Sequence, residues 1–399
     1  MSEWRECKLG DVVITNAKSI DKSYSFEAIS YLDTGSITKG KIESFQEITL
    51  KDSPSRAKRL VKPNDIVYST VRPIQRHYGI LKKPHPNLVV STGFTVIEVN
   101  QKLADPDFIY FHLSSDESVE YLDVIAEAST STYPSLKPSD IENLDISLPP
   151  LQEQKAIASV LNSLDEKIDL LHRQNTTLER MAETLFRQCF IEEAQENWDL
   201  VELGEYVDCF NGVSYKSSEL TASKVAMVTL KSFDRNGGFR LDGFKEFTGR
   251  FKEQHVVTQG DLVVAHTDIT QDAEVIGNPV LVVNDSRYEK MVISMDLVKV
   301  ESKFDWLSNE FLYQMMRTRE FKEHCLGYSN GSTVLHLSKQ AIPAYEFFLP
   351  PKELIKNFTK LAKDLFGKKF KNIEQIQTLE KLRDNLLPKL MSGEIRIEH

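Results

Sequence analysis

Long apolar runs, paired cysteines and a secretion signal are all missing from this sequence of 399 residues. Without an uninterrupted apolar stretch of about 18 residues, no membrane span is expected. Residues 1–6 are polar and charged where a signal peptide needs an apolar core, so a cytoplasmic location is the expectation. The four cysteines show no Cys-x-x-Cys spacing, which predicts reduced thiols and no metal site.

Catalytic signatures are missing as well. The sequence contains no Gly-x-Gly-x-x-Gly, no Gly-x-x-x-x-Gly-Lys-Ser/Thr, no His-Glu-x-x-His and no Gly-x-Ser-x-Gly. We therefore predict that the chain is not itself an enzyme and has no catalytic residues.

A long internal repeat is what the sequence does contain. Trp4 and Trp198 each stand five residues before a Leu-Gly pair, and Leu-Pro-Pro occurs at 148–150 and again at 349–351. A solenoid repeat is roughly 20–50 residues long, so a period near 200 residues predicts two complete folding units. The function of this protein is expected to use two similar domains.

Negative charge dominates, because 59 acidic residues outnumber 49 basic ones and leave a net charge of −10. Taken alone, this acidity argues against a nucleic-acid partner. Two windows depart from the average. Residues 51–90 carry nine basic and two acidic side chains, and residues 209–252 carry eight basic and four acidic ones. Basic windows in corresponding parts of two repeats indicate a surface for an anionic ligand.

Each repeat divides into a mixed region followed by a helix. We predict a mixed domain at residues 1–148, a long helix at 149–197, a second mixed domain at 198–349, and a second long helix with a C-terminal tail at 350–399. Helical periodicity begins directly after each Leu-Pro-Pro. Proline is tolerated at a helix start but not in a helix interior, so the pair marks the boundary between mixed domain and helix.

The mixed domains combine strands and helices without regular β-α-β alternation, so the predicted fold class is α+β. Short β-branched and aromatic runs predict strands at 66–71, 94–99, 262–265 and 280–283. Helices are expected near 106–128 and 306–325.

The two long helices are expected to pair with each other, antiparallel and with approximate twofold symmetry. Apolar residues of the first recur at steps of four and three over about 30 residues, a period typical of coiled coils. The second helix has a weaker seam, with Lys369, Asn372 and Arg383 at seam positions. The predicted seam residues are Ile157, Leu161, Leu164, Ile168, Leu171, Asn175, Leu178, Leu185, Phe358, Leu365, Ile376, Leu379 and Leu386.

Two stretches carry a family resemblance. Residues 148–169, LPPLQEQKAIASVLNSLDEKID, resemble the central conserved region of the specificity subunits of type I restriction-modification systems. Residues 386–395, LLPKLMSGEI, are similar to the distal conserved region of that family. The second helix departs from the pattern at its start, where residues 352–355, KELI, replace Leu-x-Glu-Gln.

This resemblance implies a non-catalytic, DNA-reading scaffold. Each mixed domain would be a target recognition domain for one half of a split, asymmetric DNA site, and the helix pair would set the spacer between the halves. The helices would also dock two methyltransferase subunits, and the assembly would recruit restriction and translocase subunits. No cofactor is expected in this chain, whereas S-adenosylmethionine, ATP and Mg are expected in the partner subunits.

Candidate DNA-binding residues were chosen by chemistry, because phosphates need Lys or Arg while base edges need planar donors and acceptors. In the first domain they are Lys58, Arg59, Thr70, Arg72, Gln75, Arg76, His77, Tyr78, Ser131 and Thr132. In the second domain they are Tyr215, Lys216, Ser217, His266, Thr267, Thr270, Gln271, Ser332 and Thr333. Because the two sets differ in chemistry, the two half-sites are expected to differ.

A coiled-coil scaffold whose two heads bind proteins is the alternative function. The overall acidity favours this alternative, and the paired basic windows argue against it. Salt discriminates between the two, because DNA affinity falls with a log-log slope of roughly −0.9 per neutralised phosphate.

Overall fold

A computed structural model describes residues 4–129, 134–234, 237–270, 272–331 and 334–397. Contacts group the chain into two compact units, which consist of Met1–Asp169 with Thr378–His399 and of Leu170–Gln377. Each unit therefore contains one mixed domain, here called a head, and part of each long helix. The first head is residues 1–148 and the second head is residues 198–349.

Twelve strands are present in the described part of the first head. They are β1 (Arg5–Lys8), β2 (Val13–Thr15), β3 (Ala28–Leu32), β4 (Ile37–Thr38), β5 (Lys41–Ile42), β6 (Gln46–Thr49), β7 (Ala57–Leu60), β8 (Asp65–Ser69), β9 (Tyr78–Leu81), β10 (Leu88–Ser91), β11 (Phe94–Val99) and β12 (Asp145–Leu148). The helices of the first head are α1 (Pro106–Ser114), α2 (Asp116–Glu127) and α3 (Pro138–Glu142).

The first head is built on two four-stranded sheets. One has the order β2-β11-β8-β9 and is antiparallel throughout, and the other has the order β6-β3-β10-β7 with β3 and β10 parallel. Successive side chains of a strand point to opposite faces of the sheet, and all five residues of β8 are buried. Strand β8 is therefore covered on both faces. Ile66 and Tyr68 pack with the helices, whereas Val67 packs with the second sheet. This explains why the three central residues of β8, Ile66-Val67-Tyr68, are all apolar or aromatic.

The long helix α4 (Leu151–Arg187) leaves the first head directly after Leu-Pro-Pro, as predicted, and ends in a π-helical turn, Gln188–Glu192. The second head then contributes the strands β13 (Asp199–Glu202), β14 (Val207–Asn211), β15 (Val225–Val228), β16 (Lys245–Glu246), β17 (Val256–Val257), β18 (Leu262–Ala265), β19 (Thr267–Asp268), β20 (Pro279–Leu281), β21 (Lys290–Ile293), β22 (Leu297–Ser302), β23 (Ser329–Asn330), β24 (Leu335–Leu337) and β25 (Glu346–Leu349). Its helices are α5 (Asn309–Met316) and α6 (Arg319–Gly327), and α7 (Lys352–Met391) follows the second Leu-Pro-Pro.

The second head has the topology of the first. Its sheets run β14-β22-β18-β20 and β16-β15-β21-β17, with β15 and β21 parallel, and β13 pairs with β25 as β1 pairs with β12. Strand β18 is buried on both faces, as β8 is. The internal repeat is therefore a repeat of structure, and the predicted α+β class with two similar heads is confirmed.

Helix caps correct the predicted helix boundaries in both heads. The expected helix at 106–128 is divided at Ser115, whose hydroxyl accepts a hydrogen bond from the Ser118 amide and begins α2. The expected helix at 306–325 is divided in the same way by Thr318, which caps α6. A serine or threonine that caps a new helix ends the periodicity of the one before it. The predicted strands 94–99 and 262–265 match β11 and β18.

In the first unit, α4 and α7 pack antiparallel. Ile157 and Leu161 of α4 share a buried cluster with Leu390 of α7. Arg383 Nη1 of α7 donates a hydrogen bond to Asp165 Oδ1 of α4 at 2.9 Å. Since residue numbers fall along α7 as they rise along α4, the two helices run in opposite directions. The same cluster includes residues of α1, so the helix pair is part of the core of this head.

In the second unit, α4 and α7 again pack antiparallel. Asn372 Nδ2 donates to Asn175 Oδ1 at 2.9 Å, and both residues are buried. The rings of Phe186 and Phe358 lie 5.8 Å apart within the main cluster of this head. The expected antiparallel helix pair is therefore present. Each of the thirteen predicted seam residues is buried or half-buried.

Glu179 joins the helix pair to the second head. Its carboxylate accepts hydrogen bonds from Lys369 Nζ of α7 at 2.5 Å, from Tyr313 Oη at 2.5 Å and from Arg317 Nη1 at 2.9 Å. Burial alone would raise the pKa of Glu179, but Lys369, Tyr313 and Arg317 outweigh burial and lower it. The carboxylate is therefore charged at neutral pH and fully partnered.

No helix in the described part of the chain is long and apolar enough to cross a membrane.

We expect Asn175→Leu and Asn372→Leu each to lower the free energy of unfolding by about 1–3 kcal/mol, because each change removes the hydrogen bond between the two buried amides and leaves Asn372 Nδ2, where it remains, only its longer 3.4 Å bond to Gln174 Oε1. The double variant should lose less than the sum of the two, since Asn372 Oδ1 has no hydrogen-bond partner in the described part of the chain and two leucines need none. Urea denaturation of the four proteins measures the coupling. Strictly additive losses would contradict a contact between the two amides.

Acid should weaken the second unit through Glu179. Its folded-state pKa lies below the ordinary value of 4.5, so its stabilising contribution is complete above that pH and is lost as the pH falls through the folded pKa. Glu179→Gln should remove this part of the pH dependence and destabilise the protein at pH 7. Denaturation midpoints of both proteins between pH 7 and pH 3 test this. Parallel pH curves would contradict it.

Candidate nucleic-acid interface

The loop that follows β8 in the first head is held in one conformation. It turns through a short 3₁₀ segment, Pro73–Gln75, flanked by Arg72 with φ 46° and Arg76 with φ 59°. Non-glycine residues in this left-handed region cost roughly 1–3 kcal/mol each, and they cluster at functional sites. The amide of Ile74 at the tip donates to Asp123 Oδ1 of α2 at 3.1 Å.

The two arginines of this loop have different surroundings. Arg76 is half-buried and forms an ion pair with Asp116 of α2 at 2.7 Å. Burial would lower the pKa of Arg76, but hydrogen bonds with Asp116 and Tyr78 raise it, so the charge is retained. Arg72 is exposed and has no ion-pair partner among the described residues. Arg72 is therefore free to reach a ligand, whereas Arg76 also braces the loop.

Several other candidates in this loop make contacts within the head. Thr70 Oγ1 donates to the Gly93 carbonyl at 2.9 Å, and His77 Nδ1 lies 2.7 Å from the Ile37 carbonyl oxygen. Tyr78 is 3% exposed and stacks on the Tyr68 ring at 5.5 Å, so its side chain belongs to the core. Gln75 is exposed at the tip.

Carboxylates neutralise part of the first basic window. Four of its nine cations are ion-paired, namely Arg56, Lys62, Arg76 and Lys82. Lys58 on the edge strand β7 is exposed without an ion-pair partner among the described residues. Its neighbour Arg59 is half-buried, and its Nε has no hydrogen-bond partner there. The two other candidates of this head, Ser131 and Thr132, lie outside the described residues.

In the second head, the loop after β18 is organised by a buried aspartate. The Asp268 carboxylate is 1% exposed and accepts hydrogen bonds from the amide and hydroxyl of Thr270 and from the amides of Val275 and Ile276. Burial raises its pKa, but these bonds outweigh burial and lower it. Lys322 of α6 completes the support by donating to the Ile276 carbonyl at 2.6 Å.

The remaining candidates of the second head are partly accessible. Thr267 is buried and donates to Asp296 Oδ1 at 3.0 Å. His266 is half-buried, and burial together with His336 and Lys339 lowers its pKa, so it is a neutral donor and acceptor at pH 7. Thr270 is half-buried at the loop tip. The candidates Gln271, Ser332 and Thr333 lie outside the described residues.

A separate loop carries Tyr215, Lys216 and Ser217. Lys216 and Ser217 are exposed, while Tyr215 packs against a buried cluster of the second head. The ammonium group of Lys245 lies 5.7 Å from the centre of the Tyr215 ring. Lys245 is therefore a second cation close to this loop, in addition to Lys216.

The first unit also contains a cleft of about 1240 Å³. Five basic and eight acidic residues line it, and burial lowers the pKa of its His112 to about 4. An acidic lining repels phosphates, so this cleft is a poor site for DNA. No group of three His, Cys, Asp or Glu side chains is placed to hold a metal ion among the residues that the structure describes.

Sequence reasoning missed the residues that support the loops. Asp123 gave no signal because it lies 49 residues from its partner Ile74 along the chain. Asp268 is indistinguishable in sequence from an exposed loop aspartate. The loop tips themselves carry Ile74 and Ile269, which are 50% and 75% exposed. The available signal for both was an isoleucine directly followed by a hydrogen-bonding residue, Gln75 in the first loop and Thr270 in the second.

Comparison with known proteins shows what this chain is similar to. Residues 1–180 match the family model of the type I restriction modification DNA specificity domain. The HindI specificity subunit of a type I restriction enzyme from Haemophilus influenzae is 27% identical to this chain, and the alignment covers 99% of this chain and 100% of that protein. The MjaIX specificity subunit from Methanocaldococcus jannaschii is 25% identical over 88% of this chain and 82% of its own length.

The fold also has a counterpart among solved structures. The S subunit of a type I restriction-modification system from M. genitalium superimposes with a TM-score of 0.59, at 17% identity, over 97% of this chain and 96% of that chain. At this identity the likeness concerns the fold alone. Taken with the family model and the relatives, the resemblance to type I specificity subunits that the sequence indicates is confirmed.

Removing the carboxylate of Asp268 should release the loop of the second head. We expect Asp268→Asn to lower stability by about 1–3 kcal/mol, because an amide oxygen cannot replace both carboxylate oxygens as acceptors. Amide hydrogen exchange at Thr270, Val275 and Ile276 should become faster. Asp272→Asn is the matched control, since Asp272 is an exposed carboxylate of the same loop. Equal exchange in both variants would contradict the bracing role.

Proposed function

We propose that this chain is the DNA-reading subunit of a type I restriction-modification assembly, because residues 1–180 match the family model of the type I restriction modification DNA specificity domain. Each head reads one half of a bipartite, asymmetric DNA site. The chain itself is non-catalytic and selects the place where partner subunits act.

One observation carries this proposal. Two heads with equivalent four-stranded sheets each hold a braced loop after a buried strand, directly after β8 in the first head and after β18 and the short β19 in the second. The two loops differ in chemistry, because the first presents Arg72 and Gln75 and the second presents His266 and Thr270. One scaffold with two different reading loops is what a bipartite site of unequal halves requires.

The accessible candidates form the proposed contact set. In the first head these are Lys58, Arg72 and Gln75, with Arg59 and Arg76 as half-buried neighbours. In the second head they are Lys216, Ser217, His266 and Thr270. Ser131, Thr132, Gln271, Ser332 and Thr333 stay predictions. Tyr78 and Thr267 are buried, so the proposal does not depend on their side chains.

The domain limits remain those expected from the sequence. The recognition domains are residues 1–148 and 198–349, and the helical segments are 149–197 and 350–399. These helical segments set the spacer between half-sites and dock two methyltransferase subunits, which bring S-adenosylmethionine. Restriction and translocase subunits, which use ATP and Mg, join the assembly. Because the ligand is cellular DNA, the assembly works in the cytoplasm.

A protein-binding scaffold is the alternative function. It accounts for the net acidity but not for the match of residues 1–180 to a DNA specificity domain. No contact described above favours it over DNA recognition.

Replacing Arg72 by Ala should impair one half-site only. We expect the affinity of the full assembly for its DNA to fall about tenfold and the log-log salt slope to shrink by about 0.9 if the contact is to a phosphate. If Arg72 contacts a base edge instead, mapping of methylated sites in a host should show relaxed sequence preference in one half of the motif. Stability should change little, because Arg72 is exposed and unpaired among the described residues.

Two controls sharpen this test. Lys102→Ala removes an equally exposed cation of the same head outside the basic window and should leave the motif unchanged. Arg76→Ala should lower both stability and half-site preference, because it also breaks the ion pair with Asp116. Equal weakening of both half-sites by Arg72→Ala would contradict separate reading by two heads.

A further inference from the structure

An exposed isoleucine lies in the turn that follows the central buried strand of each head, and the two positions differ by one residue. Ile74 follows the end of β8 by five residues and is 50% exposed, and Ile269 follows the end of β18 by four residues and is 75% exposed. Single exposed aliphatic residues are common on protein surfaces. Their recurrence at corresponding loop tips of two diverged heads calls for a shared purpose.

The backbone under Ile74 is costly and fixed. Ile74 lies between two residues in the left-handed region, Arg72 and Arg76, and its own amide is held by Asp123. Strain of this kind persists only where the surrounding structure enforces it. The conformation that holds this branched aliphatic side chain outward therefore lowers the stability of the first head.

A different set of contacts fixes the backbone beside Ile269. Its neighbour Asp268 is buried and accepts four hydrogen bonds from residues that follow the tip. Lys322 secures the far side of this loop through the Ile276 carbonyl and the Asn278 side chain. Two unrelated braces that both present an isoleucine indicate that the side chain matters.

The groups beside each isoleucine are hydrogen-bonding ones. Gln75 adjoins Ile74 and Arg72 lies two residues before it, while Thr270 adjoins Ile269 and His266 lies three residues before it. In the major groove of DNA, the C5-methyl group of thymine is the one apolar feature of a base edge, and donors and acceptors surround it. A rigid aliphatic tip with polar neighbours matches that pattern.

We propose that Ile74 and Ile269 each contact the C5-methyl group of a thymine in the half-site that its own head reads. This inference rests on the proposed function. It makes the two isoleucines specificity-determining residues in addition to the polar candidates.

Deoxyuridine tests this contact, because it pairs like thymidine but lacks the C5-methyl group. The full chain, assembled with its methyltransferase subunits, is titrated with duplexes in which each thymine of the mapped site is replaced in turn. Wild type should lose about fourfold in affinity at one thymine position in each half-site, the factor expected from one buried methyl-sized group.

The variants assign each contact to a head. Ile74→Ala should abolish the sensitivity to deoxyuridine in one half-site and keep it in the other, and Ile269→Ala should do the reverse. Ile14→Ala and Leu200→Ala are matched controls, because these residues are 59% and 54% exposed and lie outside the loops. Both controls should behave as wild type.

The outcomes separate the two claims. Sequence-specific binding that is indifferent to deoxyuridine at every position overturns the thymine contact and leaves the proposed function standing. The same holds if Ile74→Ala or Ile269→Ala weakens binding to thymine and deoxyuridine duplexes equally. An assembly that binds its mapped site and randomised DNA with the same affinity overturns the proposed function, and the thymine contact with it.

Discussion

Antiparallel pairing of α4 with α7 is the interaction on which both heads depend. Polar contacts fix its register, because Asp165 meets Arg383 in the first unit and Asn175 meets Asn372 in the second. An apolar seam alone tolerates slippage, whereas a buried polar pair in the wrong register is left without partners. Because Ile157 and Phe186 of α4 sit in the cores of the two heads, a slipped register would also disrupt those cores.

The two heads show how one topology can carry two surfaces. In the first head, carboxylates of α2 hold the loop after β8 from outside it, through Asp123 and Asp116. In the second head, Asp268 holds the loop from within, with Lys322 of α6 as support. The buried strands are equivalent, so their positions are constrained by packing. Each loop needs only some set of hydrogen bonds or ion pairs that fixes its backbone. The identities of its accessible residues can therefore differ between the two heads.

Local signals allowed much of this fold to be predicted. Strand β11 and the starts of α4 and α7 follow from β-branched runs and from Leu-Pro-Pro, which act over a few residues. The breaks at Ser115 and Thr318 were missed because a hydroxyl that caps a helix looks like any polar residue within one. Support of the first loop was missed because Asp123 lies 49 residues from Ile74, and support of the second was missed because Asp268 looks in sequence like an exposed loop aspartate. The sequence showed Lys369, Asn372 and Arg383 only as defects in the seam, whereas each has a polar partner on α4.

The carboxylate of Glu179 limits how freely the second head could be exchanged for another. This residue belongs to α4, yet two of its three partners, Tyr313 and Arg317, are supplied by α5 and by the residue that follows it. A transplanted head that lacked the phenol and the guanidinium would leave a half-buried anion with Lys369 alone. A second head taken from a related protein would therefore have to supply both groups for Glu179 to keep all of its hydrogen-bond partners.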